Sequence, residues 1–203
     1  MLWIGLTGPM GSGKSTVASI LRKLGYPVLD ADHLVHQILS PGGPAETEIL
    51  KTFGGDLRDA GGALDRRALG RVVFPSSAKL AQLESIIYPI LRNEVAQRRK
   101  NLADKGANAA FYDVPLLFEK GMRDQFDHVL VVSASETLRR ERLKVRSGMS
   151  DLDFDQRMAK QMAPAEKERL ASAVIRNESD EAALIEETKR ALRVLKIPSP
   201  TVS

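Results

Sequence analysis

The sequence contains no cysteine. Disulfides, a thiolate nucleophile and any cysteine-ligated zinc or iron–sulfur centre are therefore excluded. Histidine is scarce too: His33, His36 and His128 are the whole set, too few and too poorly spaced for a histidine-rich metal site. No apolar run is long enough to span a bilayer. The first residues lead straight into an apolar strand, with no basic, cleavable leader ahead of it. A cytoplasmic protein with no membrane partner is the expectation.

What is present fits an ordinary globular chain. Its 203 residues, 43% hydrophobic and 28% charged, are enough for one α/β domain with small insertions. The net charge of +4 invites a nucleic-acid reading, yet no basic motif is interleaved with aromatic residues as in RNA-binding modules. Arg98-Arg-Lys100, late in a long helix, reads as a solvated face. The denser run Arg139-Arg140-Glu-Arg142-Leu-Lys144-Val-Arg146 lies in a candidate lid. Small polyanionic ligands account for the charge better than nucleic acid does.

One stretch organises the rest. Gly8-Pro-Met-Gly11-Ser12-Gly13-Lys14-Ser15 fits G-x-x-x-x-G-K-[ST], the phosphate-binding P-loop. Leu2–Thr7 before it reads as a buried strand. Val17, Ile20, Leu21 and Leu24 after it form one apolar helix face that stops at Gly25. Strand, glycine loop and helix together predict a nucleoside-triphosphate site: backbone N–H groups curl around phosphate oxygens and the helix N-terminus adds its positive end. Lys14 is expected on the β- and γ-phosphates, and the Ser15 hydroxyl on Mg²⁺.

Pro27-Val-Leu29 reads as a second strand ending in Asp30-Ala-Asp32, followed by a helix over 33–39. Ligands of open α/β sheets collect beyond the carboxyl ends of strands. If that stretch is extended, both carboxylates face the same way. Asp32 is expected to serve the site; for Asp30 a site role and a helix cap both fit. From Ser40-Pro-Gly-Gly-Pro44 to about Gly106 the pattern is helical, with a kink or restart predicted at Tyr88 ahead of Pro89. Residues 109–113 give a third strand ending in Asp113, then the apolar turn Pro115–Phe118. Residues 128–132 give a fourth, wholly apolar strand. Helices over 136–147, 151–162 and 164–171 follow, with Ser150 and Asp153 resembling a capping box. A short fifth strand ends near Asn177. A terminal helix over 180–195 packs the sheet, and residues 197–200 are expected to fray. The architecture predicted is a three-layer P-loop fold with a five-stranded parallel sheet wrapped by helices.

The reaction class follows by exclusion. There is no guanine-reading Asn-Lys-x-Asp, and Asp59-Ala-Gly-Gly62, although it satisfies D-x-x-G, falls in a loop-rich insertion. Phe111-Tyr-Asp113-Val lacks the Asp-Glu ending of a motor ATPase. A helical insertion for a second substrate and a basic helical lid suit a small-molecule kinase, whose closure keeps water from the phosphoryl group.

Over nearly its whole length the chain resembles the dephospho-CoA kinase family. The residues that carry the resemblance are Gly5-Leu-Thr-Gly8 with Gly11-Ser-Gly-Lys-Ser-Thr16, Asp30-Ala-Asp32, and Gly62-Ala-Leu-Asp-Arg66-Arg-Ala-Leu69. Val114-Pro-Leu-Leu117, Arg142 with Arg146, and Val174-Ile-x-Asn177 complete the set. The resemblance implies transfer of the ATP γ-phosphoryl group to the ribose 3′-hydroxyl of dephospho-CoA, the last step of coenzyme A synthesis, with Mg²⁺ as cofactor. It implies a nucleotide-binding core (1–33, 107–135, 172–203), a helical CoA-binding insertion (34–106) and a lid (136–171). Asp32 would orient or deprotonate the 3′-hydroxyl. Lys14 and Arg142 would stabilise the transferring group. ATP would be held by Gly8, Gly11, Ser12, Gly13, Lys14, Ser15, Thr16, Arg142, Arg146 and, at the adenine, Asn177. Arg66, Leu116 and Leu117 would face the acceptor.

Tyr88 before Pro89, His36, Ser172 and Arg176 depart from the family's usual residues and bear on acceptor recognition. None touches the P-loop or Asp32. Two other readings remain open at this point: another small-molecule kinase, such as one acting on a nucleoside monophosphate, and a non-catalytic nucleotide-binding regulator. Oligomeric state is not legible in the sequence.

Overall fold

The computed structural model describes residues 1–200. The chain forms two compact units, one from Met1–Leu29 together with the chain from Leu102 onward, the other from Asp30–Asn101. The expected core segment 172–203 ends in three residues that lie outside the described ones.

The first unit is built on a five-stranded sheet in the order β2-β3-β1-β4-β5, from β1 (Leu2–Thr7), β2 (Val28–Asp30), β3 (Ala109–Asp113), β4 (His128–Ser133) and β5 (Ala173–Arg176). β1 pairs in parallel with both β3 and β4, and β4 with β5. Parallel strands covered on both faces need continuous apolar runs, which β3 and β4 supply. The main core packs Ile4, Leu6, Phe111, Leu130 and Ile175 against Val17 and Leu21 of α1 (Lys14–Lys23) and Leu184 and Leu192 of α9 (Glu181–Val194). On the sheet's other face Trp3 stacks on Tyr112 with ring centroids 5.7 Å apart. Three further helices, α6 (Glu136–Ser147), α7 (Asp151–Met158) and α8 (Pro164–Leu170), lie between β4 and β5.

The second unit is helical, as the sequence predicts: α2 (Ala31–Ile38), α3 (Glu46–Phe53), α4 (Arg66–Val73) and α5 (Ser77–Asp104). Its own core gathers Ile38, Ile49, Leu69, Leu83 and Ile87.

Three local expectations are corrected. The stretch after β2 is not extended: α2 starts at Ala31, and the Asp30 carboxylate caps it by accepting the His33 amide at 2.9 Å. Only Asp32 of the pair is therefore left without a partner among the described residues. Pro89 neither stops nor restarts a helix, because α5 runs through it. One missing backbone bond is outweighed by the packing of Leu83, Ile86, Ile87, Ile90 and Leu91 on one stripe.

The third correction concerns the end of the chain. α9 closes in a Schellman motif, with Ile197 N–H on Leu192 O at 2.9 Å and Lys196 N–H on Arg193 O at 3.0 Å. Lys196 adopts the left-handed φ of 52°, which turns Ile197 into the core at 8% exposure. Tyr26 Oη donates to Pro198 O and Asn108 Nδ2 to Ser199 O. The segment 197–200 is docked, not frayed. Ile197→Ala should cost about 2–3 kcal/mol in urea unfolding; a loss below about 0.5 kcal/mol, the usual scale of surface changes, would mean that the tail is not part of the core.

Candidate active site

Sheet topology explains where the chemistry gathers. β1 lies between β3 and β4, and Leu6 of β1 is in register with Asp113 of β3. The loop leaving β1 and the last residue of β3 therefore meet at the carboxyl edge, where ligands of such sheets bind. Lys14 Nζ is paired with the Asp113 carboxylate, and the two side chains are 18% and 3% exposed.

The loop itself has no room for side chains at its turns. Gly11 and Gly13 take φ of 79° and 90°. A Cβ on Gly13 would lie 2.1 Å from Asn177 Nδ2, and one on Gly11 2.8 Å from Arg139 O. Gly13 is also the N-cap of α1 and supplies no capping side chain. Thr16 and Val17 N–H already donate to Gly13 O at 3.0 and 3.1 Å, which leaves the amides of Lys14 and Ser15 at the positive end of the helix, where an anion is favoured. Ser15 and Thr16 lie exposed in this first turn. Ser12 is buried, and its Oγ has no protein partner among the described residues.

Asn177, just past β5, ties the loop to the basic helix. Its Nδ2 donates to Ser12 O at 2.8 Å. Its backbone O and Oδ1 accept from Arg142 Nη2 at 3.1 and 3.2 Å, and its N–H donates to Ser133 O at 2.8 Å. Arg142 Nη1 is buried without a partner among the described residues. Arg146, one turn on, is exposed. Met10 N–H, earlier in the loop, donates to Gln161 Oε1 at 3.3 Å.

The α6–α8 segment is held by Arg139 and Arg140 of the dense basic run and by Lys167, which no sequence pattern singled out. Arg139 is 2% exposed, donates to Ala134 O at 3.2 Å and lies 5.4 Å from the centre of the Phe154 ring. Burial pulls its guanidinium below the usual range. Arg140 lies 4.2 Å from the same ring and pairs with Glu136, Asp151 and Asp155. Those bonds, Glu136 first, raise its pKa. Lys167 of α8 is fully buried on Glu119 Oε1 at 2.8 Å, an oxygen that also accepts Met162 N–H at 2.8 Å. Nothing local distinguishes such a lysine in the sequence. Only its lying on an otherwise polar short helix far from Glu119 sets the problem, and the fold solves it.

Of the residues expected on the acceptor side, Leu117 is fully buried and Leu116 half-buried. In the helical unit Asp32 is exposed on the first turn of α2. His36 follows one turn later on the same face. Arg66 Nη1 is hydrogen-bonded to His36 Nδ1; a guanidinium only donates, so that nitrogen is the acceptor. Asp65 caps α4, and its pKa is lowered chiefly by the Ala68 amide, with the Arg67 amide and the charges of Arg71 and Arg67 adding to it. Asp59, the D-x-x-G aspartate, accepts the amides of Gly61 and Ala63 within its own loop, which is a turn and not a nucleotide switch.

The comparisons with known proteins agree with this chemistry. A family model described as dephospho-CoA kinase matches residues 2–183. The dephospho-CoA kinase of Bdellovibrio bacteriovorus is 41% identical over 196 residues, 97% of each chain. A crystal structure from Thermus thermophilus superposes with a TM-score of 0.83 at 36% identity, covering 96% of this chain and 97% of that one. A shikimate kinase from Acinetobacter baumannii, 18% identical with a TM-score of 0.55 over 97% and 94% of the two chains, shares the fold.

Asn177→Ala should loosen both the loop and the arginine beside it. Nucleotide KM is expected to rise about tenfold or more, the scale of two lost buried hydrogen bonds. An unchanged KM in steady-state kinetics would show that the loop holds its shape without the amide.

Proposed function

Because this chain belongs to the dephospho-CoA kinase family, we propose that Lys14, Arg142 and Asp32 carry out that family's reaction here. The activity is ATP-dependent phosphorylation of dephospho-CoA, the final step of coenzyme A synthesis. The observation that supports the residue assignment is the pairing of Lys14 with a buried Asp113 at the glycine loop, beside Arg142 of α6, whose Nη1 has no partner among the described residues.

In phosphoryl transfer the transition state is loose, so positioning and charge stabilisation outweigh bond-making by the protein. The glycine loop and Ser12, Ser15 and Thr16 cradle the triphosphate. Lys14 moves from Asp113 to the β,γ oxygens. Arg142, released from Asn177 as residues 136–171 close as a lid, covers the transferring group, a role worth ~10³-fold or more in rate. Arg146 and Asn177 border the nucleotide, the latter through Ser12. Asp32 accepts the hydrogen of the ribose 3′-hydroxyl; it has no competing partner, and it follows directly on the carboxyl end of β2. Arg66 and Leu116 receive the acceptor, with Leu117 supporting the turn from inside. Residues 34–106 serve as the acceptor-binding insertion.

The donor set suits Mg²⁺. No cluster of three or more acidic or histidine side chains forms a cage among the described residues, and magnesium in kinases is held by one or two protein oxygens plus phosphates. The Ser15 hydroxyl and Asp113 would hold it, and it would neutralise charge on the β,γ oxygens. No described helix is long and apolar enough to cross a membrane. We place the enzyme in the cytoplasm, where ATP is made available, with ATP and dephospho-CoA and no nucleic acid as its partners.

ADP release should depend on dephospho-CoA and yield a 3′-phosphorylated product; equal activity with AMP or shikimate would void the acceptor assignment. Asp32→Asn should retain ATP binding and lose about 10²-fold or more in kcat, the scale of a positioned general base. Near-normal turnover would remove Asp32 from the mechanism. Lys14→Ala should abolish turnover and also cost about 2 kcal/mol or more, because it leaves a buried carboxylate without its cation. Adding Asp113→Asn should restore stability but not rate. A double variant no more stable than Lys14→Ala would show that the pair does not hold the loop.

A further inference from the structure

The phosphate loop is held by more than Asn177. That residue grips it at the Ser12 carbonyl. A second grip falls on the peptide unit between Pro9 and Met10. Its carbonyl accepts Ser12 N–H at 3.2 Å, and its N–H donates to Gln161 Oε1 at 3.3 Å. A peptide unit is planar, so fixing one end of it fixes the other. Gln161 therefore sets the plane whose carbonyl closes the turn over residues 9–12, the turn that contains Gly11 with its φ of 79°.

Gln161 is itself held in place. It lies just past α7, where its N–H donates to Met158 O at 2.9 Å. The next amide, Met162 N–H, donates to Glu119 Oε1 at 2.8 Å, and the same oxygen pairs with Lys167 Nζ at 2.8 Å. Glu119 Oε2 is buried with no partner among the described residues, so both bonds of the carboxylate rest on one atom. Lys167 is fully buried on α8, a place that lysine accepts only with a partner. Its Nζ also lies 3.5 Å from Pro115 O, which accepts the Thr7 hydroxyl at 3.1 Å. Glu168, next on α8, accepts the Ser133 hydroxyl at the end of β4.

These bonds close a circuit. From Thr7, the last residue of β1, the chain runs through the loop to Met10. The bonds then return by way of Gln161, Met162, Glu119, Lys167 and Pro115 to Thr7. A buried ion pair is weak evidence for stability, because an apolar pair of the same volume often serves as well or better. The Glu119–Lys167 pair is better explained by what it places, which is the amide next to Gln161.

We propose that Gln161 is a positioning residue for the triphosphate, holding the 9–10 peptide so that the amides after it face the phosphates. Glu119, fixed by Lys167, positions Gln161 through Met162 N–H. The proposal rests on the reading of the glycine loop as the ATP site, and not on the identity of the acceptor. Residues placed in this way act by preorganisation: the loop meets the anion with its donors already arranged.

The test measures Mg²⁺-ATP affinity by calorimetry in the absence of acceptor, with thermal unfolding and the KM for dephospho-CoA on each variant. Gln161→Met keeps the length of the side chain and removes its oxygen. ATP Kd should rise about fivefold, the scale of one hydrogen bond, with the acceptor KM and the unfolding midpoint unchanged. Glu119→Leu/Lys167→Met replaces the ion pair by apolar side chains, which preserves the fold but leaves Met162 N–H without an acceptor. Kd should rise to the same extent. Glu119→Gln/Lys167→Met also removes both charges but keeps an oxygen for that amide, and Kd should return to within about twofold of the unaltered protein. Adding Gln161→Met to the Glu119→Leu pair should cost nothing further, since residues that act through one another are not additive.

An unchanged Kd in Gln161→Met overturns the proposal, and because Gln161 is half-buried this variant decides it even if the apolar pair fails to fold. Equal losses in the two Glu119 pairs, or a triple variant weakened by the product of the separate effects, overturn the role of Glu119. ATP binding without ADP release on adding dephospho-CoA would overturn the acceptor assignment alone. No ATP binding by the unaltered protein would overturn the reading of the loop, and this proposal with it.

Discussion

The structure depends on a turn that has no space for side chains. Where β1 passes into α1, the chain must bend sharply enough to turn successive amides inward, and the bend is packed on both sides. Asn177 stands 2.1 Å from where a Cβ of Gly13 would be, and the Arg139 carbonyl 2.8 Å from that of Gly11. Glycine is required there twice over, for the positive φ and for the close approach. The same crowding fixes the neighbours. Arg139 can bring its backbone against Gly11 only because its side chain turns away, into a buried position on Phe154. Asn177 can approach Gly13 only because its amide bonds Ser12 O on one side and accepts Arg142 on the other. The phosphate cradle, the end of β5 and the root of the basic helix are one packed object.

This also decides which parts were legible in the sequence. The loop, its strand and its helix were, because motif, apolar run and helical periodicity agree on the same residues. Asp113 was visible as a strand-end carboxylate, but its bond to Lys14 needed the sheet order, which sets β3 beside β1. Asp32 was read toward the site and Asp30 was left open between a site role and a cap, since both roles obey the same rule for position. The structure separates them by starting α2 one residue after Asp30. The restart expected at Pro89 does not occur because a local rule met a larger packing term. The tail misled because its prolines spoke louder than Ile197, whose burial depends on a left-handed lysine that no pattern announces.

The charge of the chain means different things in different places. On α6 and α7, Arg140 is shared among three carboxylates and stacked on Phe154. It serves to join two helices. Arg139 is buried with no ion pair among the described residues, and the Ala134 carbonyl, the Phe154 face and the charge of Glu136 stand in for water. On α4, by contrast, Arg67 and Arg71 are exposed, and their charges act on Asp65 without an ion pair among the described residues. Net charge alone does not tell a joint between helices from a solvated face.

The Lys14–Asp113 pair balances two groups that would be costly apart. A lysine alone in the loop would crowd the positive end of α1, and a carboxylate only 3% exposed would stand uncompensated. Paired, each solves the other's problem. Arg142 on Asn177 follows the same logic with weaker, neutral acceptors, and one of its nitrogens is already left without a partner. Both cations are thus fixed beside the loop by partners within the fold. Preorganisation of this kind places the cost of arranging the charges in folding, and leaves little reorganisation for the reaction itself.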